Sequence, residues 1–397
     1  MITVEEAERI ILDQVRDYGA EIIPFELALG RVLAENIKAD RDLPPFNRVT
    51  MDGIAINYDA IAAGISTFKI KATQAAGDEP VEIEEHDECV EIMTGAMVPA
   101  SADTIIRYED LALRAGLATL VTHEIKRGQN IHYKGKDKKH NDQVAGIGQV
   151  ITPGLISMVS SVGETELRVK KLPRVVIISS GDELVEVDQT PSPYQIRRSN
   201  NYTLKAVLQQ HQIEANMLHL PDDPEVIQKQ LKTCLENYDV LLLSGGISMG
   251  KFDYIPKALE ALNVEQLFYK VQQRPGKPFW FGKHNSGPVV FAFPGNPVAT
   301  FMCLHRYFLP WLNASLGKEN QPQLKAVLNN RVSFHHPLKY FLQVKLQQNE
   351  YCQLVATPVE GNGSGDFANL TDTDAFMELP AERNEFKKGE VFKVWSF

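Results

Sequence analysis

Glycine-rich loops, paired cations and clustered carboxylates are the residues of this sequence best able to do chemistry. The run Gly245-Gly246-Ile247-Ser248-Met249-Gly250-Lys251-Phe252-Asp253 follows the apolar stretch ending at Ser244. Glycines there let backbone N–H groups approach an anion closely, and the start of the next helix favours negative charge. The loop is not a Walker A sequence, and alone it reads equally well as a tight turn. Arg274 and Lys277 bracket Pro275-Gly276, a rigid turn that can aim a guanidinium and an ammonium at one oxyanion; the plain alternative is two solvated charges. Asp182, Glu183, Asp222, Asp223 and Asp253 add carboxylates. Beside a phosphate cradle such groups hold Mg²⁺, which bridges to phosphate oxygens, although Asp223 before Pro224 also reads as a helix cap. A separate stretch, Phe46 to Ile56, sets Arg48, Thr50 and Asp52 ahead of Gly53 and an apolar run. Together these loops suggest one shared anionic ligand.

Other chemistries find no support. The ten histidines form no H-x-x-x-H or H-E-x-x-H spacing, so a catalytic zinc is not indicated. Cys89, Cys234, Cys303 and Cys352 lie far apart and read as reduced thiols of a cytoplasmic protein.

Parallel strands are the elements that would position these loops, because ligands bind beyond the carboxyl ends of such a sheet. From Arg174 onward strands and helices alternate: Arg174–Ser180, a helix near Asn200–Gln210, Glu214–Leu220, a helix from Pro224, Asp239–Ser244, Gln266–Gln272 and Pro288–Phe293. The alternation predicts a parallel sheet with helices on both faces, and it puts five polar loops on one rim. Earlier, Thr3 and Glu6 form a capping box, with Val4, Ala7, Ile11 and Val15 on one helical face. Between Glu21 and Lys171 short apolar runs separated by Gly, Pro and Asp read as mixed β structure. Within it the basic run Tyr133 to Asp142 is either a solvated loop or an anion-facing one. After the break at Gln321-Pro322 the runs Ala326–Phe334 and Phe341–Leu346 indicate a small β domain.

Scale and charge agree. A chain of 397 residues exceeds one ordinary core. A net charge of −10 argues against a general nucleic-acid or acidic-membrane surface. No apolar run is long enough to span a bilayer, and the acidic start is unlike a secretory signal.

Seven motifs then occur in one order: "PPFNRVTMDGIAI", "IMTGAMVP", "SSGDELVEV", "PDDP", "SGGISMGKFDY", "RPGKPFWFGK" and "FPGNPVAT". By these the chain resembles, over nearly its whole length, the MoeA family of molybdopterin molybdenumtransferases, whose relatives include the gephyrin E domain. The resemblance implies a multidomain α/β protomer. Residues 1–21 would pack with the α/β domain, 22–43 and 140–171 would form a discontinuous linking domain, and 44–139 an inserted mixed β domain. Residues 172–322 would be a doubly wound molybdopterin-binding α/β domain and 323–397 a C-terminal β barrel. It implies insertion of molybdenum from molybdate into adenylated molybdopterin, with Mg²⁺-dependent release of AMP, by a cytoplasmic homodimer that contacts neither nucleic acid nor membrane. A molybdopterin adenylyltransferase is a further implied partner.

By the same resemblance Asp52, Thr94, Glu183, Asp222 and Asp253 are catalytic, with Asp222 and Asp253 holding the metal. Gly181, Asp182, Asn200, Ser244, Gly245, Gly246, Ser248, Gly250, Lys270, Pro294, Gly295, Asn296 and Pro297 would bind molybdopterin or nucleotide. Arg274, Lys277, Pro278, Lys339 and Ser364 would bind molybdate. In the family the cleft lies between the α/β domain of one subunit and the inserted domain of the other, bringing Asp52 and Thr94 opposite Glu183, Asp222 and Asp253. This chain departs from the pattern in having Arg48-Val49-Thr50 before its Met-Asp-Gly, and "HYKGKD", with Asp137 but without the family's arginine, in place of its Arg-x-Gly-Glu-Asp segment. Two other readings compete: an adenylyltransferase, which is usually a single α/β domain, and a partner-binding scaffold.

Overall fold

The computed structural model describes residues 1–122, 124–246, 254–318, 322–359 and 367–397. The capping box forms as expected at the start of α1 (Val4–Leu12). Thr3 Oγ1 accepts the Glu6 N–H at 3.1 Å, and Glu6 Oε2 accepts the Thr3 N–H at 2.8 Å. Val4, Ala7 and Ile11 are buried. The helix stops at Leu12, earlier than the periodicity predicts, and Val15 is exposed.

Two short antiparallel pairs then tie distant parts of the chain. Ala20–Pro24 pairs with Glu166–Lys170, and Ile37–Lys38 with Gln143–Ala145. Ala28, Leu33, Ile37, Ala145, Leu155 and Val169 share one core. That core includes a helix, Pro153–Ser161, hidden among residues that read as β. Thr152 caps it by accepting the Leu155 N–H at 3.2 Å, and Pro153 occupies its first turn. Between the paired segments lies a six-stranded sheet of order Thr104–Arg107, Gly53–Ile56, Glu88–Ile92, Thr67–Gln74, Leu117–Leu120, Leu111–Arg114. Gly53 sits where a Cβ would fall 1.8 Å from the Ile106 carbonyl oxygen, so only glycine fits.

The alternating region forms β1 (Val175–Ser180), α2 (Ser199–Gln210), β2 (Ala215–Leu220), α3 (Pro224–Asn237), β3 (Val240–Ser244), α4 (Ile255–Ala261), β4 (Val264–Tyr269), β5 (Trp280–His284), β6 (Val289–Phe293), α5 (Pro297–Cys303) and α6 (Leu309–Ser315). The sheet order is β2-β1-β3-β6-β5-β4. Its first four strands are parallel, but β5 runs antiparallel to both neighbours, so the sheet is mixed rather than all parallel. The tight β5–β6 connection explains this, since a short link can join only antiparallel strands. Side chains alternate between two cores. Val175 and Ile177 pack with α1, α2, α5 and α6; Val176 and Ile178 pack with α3 and α4. The first core carries Phe279, Phe291, Phe293, Phe308 and Trp311 in stacked, edge-to-face and tilted contacts. A π-turn, Leu304–Phe308, joins α5 to α6.

The C-terminal strands β7 (Lys325–Leu328), β8 (Lys339–Gln348), β9 (Leu354–Pro358), β10 (Ala375–Leu379) and β11 (Val391–Ser396) close on themselves in the order β8-β9-β7-β11-β10-β8, a five-stranded barrel. Gln273–Arg274 pairs parallel with Lys339-Tyr340 of β8, joining the barrel to the edge of the α/β sheet.

Candidate functional site

The carboxyl ends of β1, β3 and β6 meet in register, Ser179 opposite Ser244 and Ser244 opposite Phe293. Beyond them opens a cavity of about 610 Å³, walled among others by Ser180, Glu183, Asn200, Ser244, Gly245 and Gly295. Gly245 (φ +90°) lines it and is followed by Gly246 (φ +68°), a left-handed pair that side chains resist. A Cβ on Gly246 would lie 2.3 Å from Ser180 Oγ. Gly245 donates its N–H to the Phe293 carbonyl at 3.3 Å, and a Cβ on Gly295 would stand 3.6 Å from Gly245 Cα.

Asn200, in the first turn of α2, ties two loops together. Its Nδ2 donates to Ser244 Oγ and to the Gly295 carbonyl, both at 2.8 Å. Thr300 further fixes the second of these, the loop after β6, by donating to the Pro294 carbonyl at 2.5 Å. The cavity is thus bounded by the N-terminal turns of α2 and α5 and by backbone groups of glycine loops, the arrangement that suits an anion.

Carboxylates lie alongside. Asp182 Oδ1 accepts the Asp222 N–H at 3.3 Å, which brings the loops after β1 and β2 together. Asp223 caps α3 through the Glu225 and Val226 N–H groups at 2.9 and 3.1 Å, so its carboxylate is occupied structurally. Gly181 has φ +124°, and a Cβ there would run into the Glu183 carboxylate at 2.2 Å. Among the described residues no group of three or more His, Cys, Asp or Glu could hold a metal. Ser248, Gly250 and Asp253, also expected at this site, lie outside the described residues, as does Ser364.

Arg274 and Lys277 stand elsewhere on the rim, past the end of β4. Their turn is held by buried Gln273, which donates to the Gly276 carbonyl at 3.0 Å and accepts the Tyr307 hydroxyl. Both cations are exposed and neither pairs with a described carboxylate. Pro278 is half-buried beside them, and Lys270, with φ +68°, holds its ammonium 4.9 Å from the Tyr269 ring centroid. Lys339 does not join them. Its ammonium is shared between Glu5 and Glu378, the latter at 2.9 Å, so its charge is already neutralised and its contacts are those of a structural cation.

Asp52 and Thr94 form a third cluster, on the six-stranded sheet. Asp52 Oδ1 accepts the Thr94 N–H at 2.6 Å, and this bond, with the Thr94 hydroxyl, holds the carboxyl below the usual range. No hydrogen bond or ion pair joins either residue to the α/β rim among the described residues.

The sequence reading missed several residues here. Buried Arg198, just before α2, pairs with Glu186 and walls the cavity. Asn201 donates to Ser179 Oγ at 3.1 Å, which lies 3.1 Å from His219 Nδ1. Burial and Arg198 push the His219 pKa down, against the pull of Asp182, Glu183 and Asp222. The only sequence signal was Arg197-Arg198 directly ahead of a helix start.

Residues 2–163 match the MoeA N-terminal region (domains I and II), residues 176–314 a probable molybdopterin binding domain, and residues 325–397 the MoeA C-terminal region (domain IV). A molybdopterin molybdenumtransferase of Synechocystis sp. is 37% identical over 400 residues, covering 100% of both chains. The chain belongs to the MoeA family. A second MoeA relative, the molybdopterin molybdenumtransferase of Staphylococcus epidermidis, is 30% identical across 99% of this chain and 95% of its own. A solved molybdopterin biosynthesis MoeA protein from Pyrococcus horikoshii superposes with a TM-score of 0.81 at 28% identity, covering 100% of this chain and 99% of that one. No helix among the described residues of this MoeA family member is long and apolar enough to cross a membrane.

Proposed function

We propose that the chain is a molybdopterin molybdenumtransferase of molybdenum cofactor biosynthesis, inserting molybdenum from molybdate into adenylated molybdopterin with Mg²⁺-dependent release of AMP. The observation that carries this reading is the 610 Å³ cavity at the carboxyl ends of β1, β3 and β6, in a chain similar over its full length to proteins of that name. The backbone N–H of Gly246 and the first turn of α2 would hold the phosphates, with Asn200 keeping the two loops at fixed separation.

The donor set fits a magnesium ion. Mg²⁺ takes one or two carboxylates and completes its shell with water and substrate phosphate; Asp222 and Asp182, on touching loops, offer that number. Bound there, the ion would offset phosphate charge as the phosphoanhydride is cleaved. Arg274 and Lys277 would receive molybdate as the second substrate, since both are exposed and neither pairs with a carboxylate among the described residues. Neighbouring strands lie ~4.8 Å apart, so the ends of β6 and β4 are about 10 Å apart, and an elongated ligand can reach both clusters. Asp52 and Thr94 would come from a second copy of the chain.

The test is AMP release from adenylated molybdopterin by the purified protein, with molybdate and Mg²⁺ each omitted in turn, and recovery of an apo-molybdoenzyme. Release that needs both ions and yields active enzyme is expected. Tight binding without turnover under every condition would sink the transferase reading and favour a scaffold.

A further inference from the structure

A second cavity, of about 250 Å³, lies at the opposite end of α2 from the candidate active site. It is walled by the Gly30–Val32 turn, by Lys170 and Leu172, by Gln210 and His211 where α2 ends, and by Leu316 and Lys318 after α6. The helix has 12 residues, which at ~1.5 Å per residue separates the two sites by about 18 Å.

Every charged group on its wall is basic. Arg31, Lys170, His211 and Lys318 line it, and no carboxylate does among the described residues. Two of the four are accounted for. Lys170 pairs with Asp17 at 2.8 Å, and Arg31 Nη2 pairs with Glu21 at 2.5 Å and with the Lys170 carbonyl at 2.8 Å. The rest are not. The Arg31 side chain is only 9% exposed, yet its Nε is buried without an acceptor. Neither His211 nor Lys318 has a side-chain hydrogen bond or ion pair among the described residues. Burial lowers the pKa of both, and the Lys318 charge lowers that of His211 further. Cations held close together in a partly dry pocket gain most from an anion, which relieves their repulsion and supplies the missing acceptor.

We propose that this cavity is a binding site for a small oxyanion or phosphoryl group, seated between Lys318, His211 and the unpartnered Nε of Arg31. The site is separate from the candidate active site, and ligand can occupy it while substrate is bound.

The test uses the full chain with ¹³C-labelled histidine, following the His211 side-chain resonance, assigned through His211→Gln, during titration with inorganic phosphate at constant ionic strength. A saturable shift is expected. Lys318→Ala should weaken the apparent affinity about tenfold, the loss of one charge-assisted hydrogen bond, and Lys318→Arg should restore most of it. Asn200→Ala, at the other cavity, should leave the titration unchanged. AMP as a second probe separates sources: tighter binding than phosphate points to a phosphorylated metabolite, weaker binding to a free oxyanion. A shift that never saturates, or that Lys318→Ala does not alter, would overturn the proposal. His211 and Lys318 would then serve only to complement the carbonyl ends of α2 and α6.

Discussion

Asn200 concentrates more of the candidate active site than any charged residue does. One amide group holds Ser244 and Gly295 on separate loops at 2.8 Å each. Asn200→Ala removes both bonds without changing the strands beneath, so the loops should lose their fixed separation. A stability loss of about 1–2 kcal/mol is expected, with far-UV dichroism unchanged and affinity for AMP reduced about tenfold. Calorimetric titration with AMP checks this, and an unaltered affinity would remove Asn200 from the site. Asp52 and Thr94 were legible in the sequence because each sits in a short motif, although only the fold brings them together across 42 residues. Arg198 was not legible: its position depends on burial against Glu186 in an irregular loop, where no periodicity marks it. Lys339 misled for the opposite reason. A lysine near the expected place reads as an anion ligand until Glu5 and Glu378 are found on it.

Elements whose signals are local could be read, and those defined by distant packing could not. Thr3 with Glu6 and Asp223 with Pro224 announce helix starts through chemistry within four residues. The reversed direction of β5 and the π-turn Leu304–Phe308 carry no such signature, since apolar residues fill a strand of either direction and a helix of either winding. The π-turn has a measurable consequence. It buries His305 against Phe301, ring centroids 4.4 Å apart, and leaves Nε2 without a partner among the described residues. Burial, aided by His211, pushes the His305 pKa down to about 4. The unfolded chain takes up this proton as pH falls through about 6.5, whereas the folded chain resists until about 4. Stability from the neutral ring is therefore full above the unfolded value and lost between the two. At ~1.36 kcal/mol per pH unit the loss by pH 5 is about 2 kcal/mol. His305→Phe should lack this component, so urea denaturation near neutrality and near pH 5 should show the wild type losing more than the variant. Equal losses would mean that His305 protonates without penalty.

At the scale of the molecule, separate parts of the chain are joined by charges that no local reading predicts. Buried Arg306 reaches Glu8 of α1 at 2.9 Å and Glu378 of the barrel at 3.4 Å; Glu378 also accepts from Lys339 and from Trp395 Nε1, both at 2.9 Å. These ties fix the barrel and α1 to the α/β unit, and with them Arg274 and Lys277 on the rim. Among the described residues no comparable bond carries Asp52 and Thr94 to that rim within one chain. On the proposed reading, the six-stranded sheet of a second copy would complete the cleft. A symmetric dimer would build two such clefts, each drawing on both chains. Asp52→Ala and Asp222→Ala should each abolish AMP release as homodimers while leaving a solution mass near twice 44.5 kDa. Co-expressed in equal amounts, half of the dimers should be mixed. Each mixed dimer would contain one cleft with both residues intact and one with neither, so about a quarter of wild-type activity should return. If both residues instead served a cleft within their own chain, every cleft in the mixture would lack one of them and no activity would return.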